Sequence, residues 1–396
     1  MTQPRILFVD DEALVLKGLQ RSLYGMRGEW EMVFEESGER GLEAMEAAPF
    51  DVVVSDMRMP GMNGAEFLNE VKARHPTTAR IILSGHADRD LILQCVGAAH
   101  QYLTKPCEAG LLKETILRAF QRRPEVELER ARTLLAGGED LPVLETTYLE
   151  LQKRLDDPDA SVDQLATLVE RDIGMAAKIL KLTNSAFFGL RRSVASVSEA
   201  LQLLGVDTVK SLVLMEGFLN QVRMGLPRGL DLNQVESSSY RAAQVARRLA
   251  QAEAPALAEG AFTAGLLHLS GLLVAARAQP QAYADILLRL EHEPLSLPEL
   301  EREVVGIDHA QVGAYLLGLW GLPEGVVEGV RSHLTPSEGP PVFHTGTAVH
   351  GACLVEAEVG HPLFRIVADG AHLGSLPWKV PPAGWAETYA SQEPIR

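Results

Sequence analysis

The sequence predicts a chain of two unlike parts: a doubly wound α/β domain with a five-stranded parallel sheet, followed by an all-α domain. Three observations carry this. Between residues 5 and 121, five short apolar runs alternate with amphipathic stretches, the pattern of a parallel sheet wrapped by helices. From about residue 141 the β signal ends, and apolar residues recur at helical spacing through 358. The segment between, RRPEVELERARTLLAGGED (122–140), is dense in charge.

The strands are expected at Ile6–Val9, Met32–Phe34, Val52–Ser55, Ile81–Ser84 and Tyr102–Leu103. Helices fall between and after them, at about 12–24, 39–47, 64–74, 88–98 and 108–121. Pro124 suits a helix start and Gly137-Gly138 a helix stop, so 123–140 reads as a charged helical linker. Its apolar positions are too few for a coiled coil. Within the all-α part, Val162–Val169 is followed by Met175, Ile179, Leu180 and Leu182 at helical spacing. Pro336, Pro340 and Pro341 mark a loop. Phe187, Phe188 and Phe218 read as core residues. The expected boundaries are therefore 1–122, 123–140, 141–358 and, for a Pro- and Trp-containing extension with irregular structure, 359–396.

A net charge of −16 over 396 residues, with no basic run to offset it, excludes sequence-independent nucleic-acid binding. Three cysteines without CxxC spacing give no thiolate metal site and suit a reducing cytosol. The first residues, MTQPRILFVDDE, do not form a signal peptide. The longest apolar segment, Ala261–Ala276, reads as too short to span a bilayer and carries His268 and Ser270. A cytoplasmic protein without a membrane partner is expected.

Chemistry gathers first at strand ends. Asp10 and Asp11 follow the first strand, Asp56 the third, Ser84 the fourth and Lys105 the fifth. In doubly wound sheets such positions converge on one patch. Crowded carboxylates need a cation, and all-oxygen ligation favours Mg²⁺. A lysine and a hydroxyl beside them suit the oxygens of a transferring phosphoryl group, and an aspartate can take that group up itself.

VDDE (9–12), DMRMPGMNG (56–64), LSG (83–85) and YLTKP (102–106) resemble the receiver domain of two-component response regulators, whose fold is flavodoxin-like. The resemblance implies that Asp56 is the phosphoacceptor, served by a sensor histidine kinase. It implies Mg²⁺ held by Asp10, Asp11, Asp56 and the backbone carbonyl of Arg58. Ser84 and Lys105 would contact the phosphoryl group, and Ser84 with Tyr102 would form the switch. Arg58 and His86 stand where the family tunes dephosphorylation.

The helical part resembles the HDOD domain, a signalling relative of the HD phosphohydrolases. The blocks that carry this are 141–189, VSEALQLLGVDTVKSLVL (197–214) and GIDHAQVGAYLLGLWGLPEGVVEGVRSH (306–333). Active HD enzymes bind metal through a histidine, an adjacent His-Asp pair and a later aspartate. Here those positions hold Ser238, His268-Leu269 and Cys353, a degenerate set, so no cofactor is expected in this domain. His309 and His333 stand as residual ligands beside His268, because HD-GYP relatives use later histidines.

The expected function is thus a phosphorelay response regulator. Phosphorylation at Asp56 would act on a non-catalytic HDOD output domain that works through a protein partner the sequence does not name. The resemblance also admits a homodimer. The alternative is a phosphorylation-controlled, metal-dependent phosphohydrolase on cyclic di-GMP or a related nucleotide.

Overall fold

The computed structural model describes residues 3–85, 98–119, 125–136, 141–143, 145–155, 157, 161–184, 193–206, 209, 226–358, 361–379 and 381–385. The helix expected at 88–98 (except its last residue), His86, the Gly137-Gly138 stop and Phe187, Phe188 and Phe218 lie outside the described residues. The chain separates into two compact units, one centred on Met1–Pro124 and one on the helices that follow.

The first unit is built on strands β1 (Arg5–Val9), β2 (Glu31–Glu35), β3 (Val52–Asp56), β4 (Ala79–Ser84) and β5 (Gln101–Thr104). All pair in parallel in the order β2-β1-β3-β4-β5. β3 and β4 are buried along their whole length, which is why they read as unbroken Val/Ile/Leu runs rather than alternating patterns. Helices α1 (Ala13–Ser22), α2 (Gly38–Ala47), α3 (Gly64–Arg74) and α4 (Ala109–Ala119) follow strands β1, β2, β3 and β5. The start of α3 is fixed by a capping box: the Asn63 side chain accepts from the Glu66 N–H, and Glu66 accepts from the Asn63 N–H.

The described residues of the second unit form helices and the loops and turns that join them, with no strand among them. It comprises α5 (Glu125–Ala136), α6 (Glu145–Leu155), α7 (Val162–Val169), α8 (Ile173–Thr183), α9 (Val197–Leu204), α10 (Leu232–Glu253), α11 (Ala258–Leu267) and α12 (Ser270–Ala278). After these come α13 (Pro280–His292), α14 (Leu297–Val304), α15 (His309–Leu319), α16 (Glu324–Ser332), α17 (Thr345–Ala357) and α18 (Gly370–Ser375). The Glu236 carboxylate on α10 accepts the Ile173 N–H at 2.7 Å and so ties α10 to the first turn of α8. Small residues let helices cross closely. A methyl added at Gly265 would meet the Ala243 Cα at 2.8 Å, and one at Gly271 would meet the His309 carbonyl oxygen at 2.0 Å.

Two expectations change. The 125–136 segment is a helix but not a free connector. Ala131, Leu134 and Leu135 are buried, Arg130 donates to the Gly306 carbonyl at 2.5 Å, and Arg132 donates to the Tyr315 hydroxyl. The apolar stretch is also not too short. Pro255–Ala278 forms 24 consecutive helical or turn residues, long and apolar enough to cross a membrane by composition, but its apolar window is 83% buried inside the protein, as a core helix would be. The described residues after 358 form α18 between two single 3-10 turns, Pro362–Phe364 and Pro382–Gly384, and Trp385 packs against Gly351.

Candidate functional site

Strand register assembles the first site. β1 and β3 align Val9 with Ser55, β3 and β4 align Asp56 with Leu83, and β4 and β5 align Ser84 with Thr104. Asp10, Asp56, Ser84 and Lys105 therefore emerge at one sheet edge. Asp10, Asp11 and Asp56 each place a carboxylate oxygen within 4.8 Å of the others. Lys105 Nζ bridges two of them, 2.6 Å from Asp10 and 2.5 Å from Asp56.

The surrounding backbone holds these groups in place. The Glu12 N–H donates to Asp10 and the Arg58 N–H to Asp56. The Lys105 N–H donates to the Ser84 carbonyl. Gly64 closes the site from behind, since a methyl there would lie 2.1 Å from the Asp56 carbonyl oxygen. Burial lifts the Asp56 carboxyl above its usual range and the Asp10 charge adds to this, with Lys105 offsetting part of the rise. Burial alone would lower the Lys105 ammonium, but the hydrogen bonds to Asp10 and Asp56 outweigh it and the net shift is upward.

Hard oxygen donors in this number fit Mg²⁺. A second observation points to a missing group: the Ser84 Oγ is buried and has no hydrogen-bond partner among the described residues. Such an atom is costly to leave unpaired and suits an oxygen of an incoming ligand. Tyr102 lies buried on β5.

The helical unit has a pocket of its own, with about 380 Å³ of empty space including its mouth. Ser238, His268, Leu269 and Cys353 all line it, together with His309 and His333. The structure thus brings together all six residues that the sequence singled out in this part. His268 and Leu269 form a break between α11 and α12 rather than the middle of one helix. The His268 Nδ1 donates to the Gly265 carbonyl at 2.6 Å and the His333 Nδ1 to the Val330 carbonyl at 2.6 Å. The His309 Nδ1 pairs with Glu301 at 2.6 Å.

Family models match two segments of the chain: the response regulator receiver domain over residues 6–117, and the HDOD domain over residues 141–336. The chain belongs to the receiver–HDOD response regulators. An uncharacterized protein of Treponema pallidum is 27% identical over 230 residues, 56% of this chain and 44% of that protein. The hydrogenase transcriptional regulatory protein HoxA of Cupriavidus necator is 34% identical over 121 residues, 30% of this chain and 24% of HoxA. The response regulator thus spans less than half the length of these curated relatives. Among solved structures, the MmoQ response regulator from Methylococcus capsulatus is similar at 27% identity and a TM-score of 0.48, covering 57% of this chain and 91% of that one.

Two acids at or behind the pocket of this response regulator were not singled out from sequence. Glu356 lines the pocket, accepting from the Ser238 hydroxyl at 3.0 Å and from the Arg241 guanidinium at 2.9 Å. Glu301 stands behind His309 and also accepts from the Tyr283 hydroxyl. Glu356 lies three residues after Cys353 on α17, a spacing that shares a helix face and so carried a readable signal. Glu301 precedes His309 by eight residues on a different helix, and no pattern links them.

Proposed function

We propose that Asp56 accepts a phosphoryl group from a sensor histidine kinase, and that the HDOD domain passes the change on by contact with a protein partner rather than by catalysis. The observation that carries the first half is the triad of carboxylates, two of them bridged by Lys105, beside an unpaired Ser84 hydroxyl. In the transfer, an Asp56 oxygen bonds to phosphorus as the P–N bond of the kinase phosphohistidine breaks, and the electron pair returns to the imidazole. Asp10, Asp11, Asp56 and the Arg58 carbonyl would hold Mg²⁺, which when bound supplies positive charge to the phosphoryl oxygens. Lys105 exchanges part of its pairing with Asp56 for the new phosphoryl charge, and Ser84 donates its hydroxyl to it. Movement of Ser84 frees space toward which Tyr102 repacks. The domain limits proposed with this reading are 1–122, 123–140, 141–358 and 359–396.

The non-catalytic half rests on the pocket's residues. Ser238, Leu269 and Cys353 stand where a hydrolytic metal site of the HD type needs two acids and a histidine, and Leu269 cannot ligate a cation. The test is incubation of the full chain with acetyl phosphate and Mg²⁺, with and without Asp56→Asn, followed by a pull-down. Partner recovery that depends on Asp56 supports the reading, and equal recovery refutes it. The second reading, a metal-dependent phosphohydrolase on cyclic di-GMP, would require the three pocket histidines to close on a metal ion. Turnover with Mn²⁺ that disappears in His268→Ala would establish it.

A further inference from the structure

The HDOD pocket has a polarity that selects its occupant. A carbonyl oxygen only accepts, so the His268 and His333 Nδ1 atoms that face Gly265 and Val330 must carry the ring hydrogen. The lone pair of each neutral ring then sits on Nε2. No hydrogen bond reaches the Nε2 of His268, His309 or His333 among the described residues, although these side chains are 4%, 3% and 1% exposed and all line the pocket. Two acceptors on pocket-lining rings therefore have no protein donor among the described residues, and a third imidazole stands beside them.

Burial keeps the first two rings neutral. It pushes His268 down to about 4 and His333 well below the usual value. Burial lowers His309 as well, but the Glu301 carboxylate outweighs it and holds that ring above its ordinary value. The acid that lines the pocket, Glu356, is already engaged by Arg241 and Ser238. The remaining wall is apolar, with Leu269, Leu297, Leu334, Leu363, Phe364 and Ile366. Arg365 is turned aside to the Glu293 and Leu295 carbonyls and so anchors this wall in place.

An anion fits such a pocket poorly, because phosphate oxygens would face imidazole lone pairs. A single metal ion needs donor nitrogens roughly 3.3 Å apart, as follows from Zn–N bonds of about 2.0 Å in tetrahedral geometry. Among the described residues, the cluster of three ligands with donor atoms all within 4.8 Å of one another is that of Asp10, Asp11 and Asp56, and these histidines do not form one. Separate hydrogen-bond donors on one organic body need no such closure. Apolar walls with a few convergent polar atoms are the usual make-up of a small-molecule site.

We propose that this pocket binds a small, uncharged organic molecule with a flat apolar body, which donates N–H or O–H groups to the Nε2 atoms of His268 and His333. The helical domain then carries a chemical input of its own, alongside phosphorylation of the receiver. This is independent of the assignment of Asp56, because neither histidine takes part in phosphoryl uptake.

The test is titration of the full chain, followed by calorimetry and ligand-observed NMR, with indole and benzimidazole as donor probes. Their N-methyl analogues serve as matched molecules without the N–H. The expected result is saturable binding of at least one donor probe, at least tenfold weaker for its N-methyl partner. That binding should be lost in His268→Leu and also in Leu269→Trp, which fills the pocket while leaving every histidine unsubstituted. Helical content by circular dichroism identifies any variant that fails to fold, and the other variant then decides. Equal binding of methylated and unmethylated probes would overturn the proposal, as would binding of neither. Stoichiometric capture of Zn²⁺ or inorganic phosphate, abolished by His268→Leu, would overturn it in favour of a metal or anion site.

Discussion

The Lys105 ammonium lies 2.5 Å from an Asp56 carboxylate oxygen, so the acid proposed to react is held by the residue that would later bind its phosphoryl group. The same ammonium also neutralises Asp10. Lys105→Met leaves these acids without their cation. Removing one partner of a buried pair costs about 3–5 kcal/mol, and the partial exposure of Lys105 reduces this to roughly 1–3 kcal/mol at neutral pH. Mg²⁺ should restore more stability to the variant than to the wild type. Urea unfolding with and without Mg²⁺ measures both, and an equal Mg²⁺ effect in the two proteins would count against a shared charge cluster.

Gly64 sits against the Asp56 backbone with no room for a side chain. Gly64→Ala must displace either α3 or the end of β3. Overpacking of this kind costs about 1–3 kcal/mol. The same displacement moves Asp56 away from Lys105, so the rate of phosphoryl uptake from acetyl phosphate should fall more than tenfold. A variant of normal rate would show that the close approach is only packing.

His268 makes the helical domain sensitive to acid. Its folded pKa, about 4, lies below the ordinary value of 6.5, so between these values the unfolded chain binds more protons. The stability is complete above about pH 6.5 and is lost as pH falls toward 4, by up to ~3 kcal/mol from this group. His268→Gln should flatten the dependence in that window. Chemical unfolding of both proteins at several pH values measures the slopes, and parallel slopes would contradict a buried neutral imidazole.

Glu236 works in the opposite sense. Burial, together with the Asp172 charge, raises its carboxyl well above the ordinary value. An acid raised in the folded state contributes stability that is full below its unfolded pKa and is lost as pH rises toward the folded one. Glu236→Gln keeps an acceptor for the Ile173 N–H and cannot ionise. It should therefore gain stability relative to wild type as pH rises, and a gain that is constant across pH would exclude this origin.

The receiver was legible because its chemistry sits at strand ends, where short apolar runs stop at an acid, a serine or a lysine. The expected strands agree with the observed ones to within two residues at each end. The pocket residues Ser238, His268, Leu269 and Cys353 were also readable, as substituted positions in a known pattern. Three features were not. The break at His268-Leu269 contains neither Gly nor Pro, and the close approach of the neighbouring Gly271 to the His309 backbone on α15 is a contact no local pattern encodes. Glu301 meets His309 through the turn between α14 and α15. The packing of α5 was signalled by Ala131, Leu134 and Leu135 at helical spacing, but the surrounding charge concealed it.

Phosphoryl uptake at Asp56 is the event from which the rest of the signalling reading follows. Intact-mass spectrometry of the full chain after incubation with acetyl phosphate and Mg²⁺ tests it directly. One added phosphoryl group on the wild type, absent from Asp56→Asn and removed by chelating Mg²⁺, is the predicted result. No added mass on the wild type, or equal addition to Asp56→Asn, would contradict it.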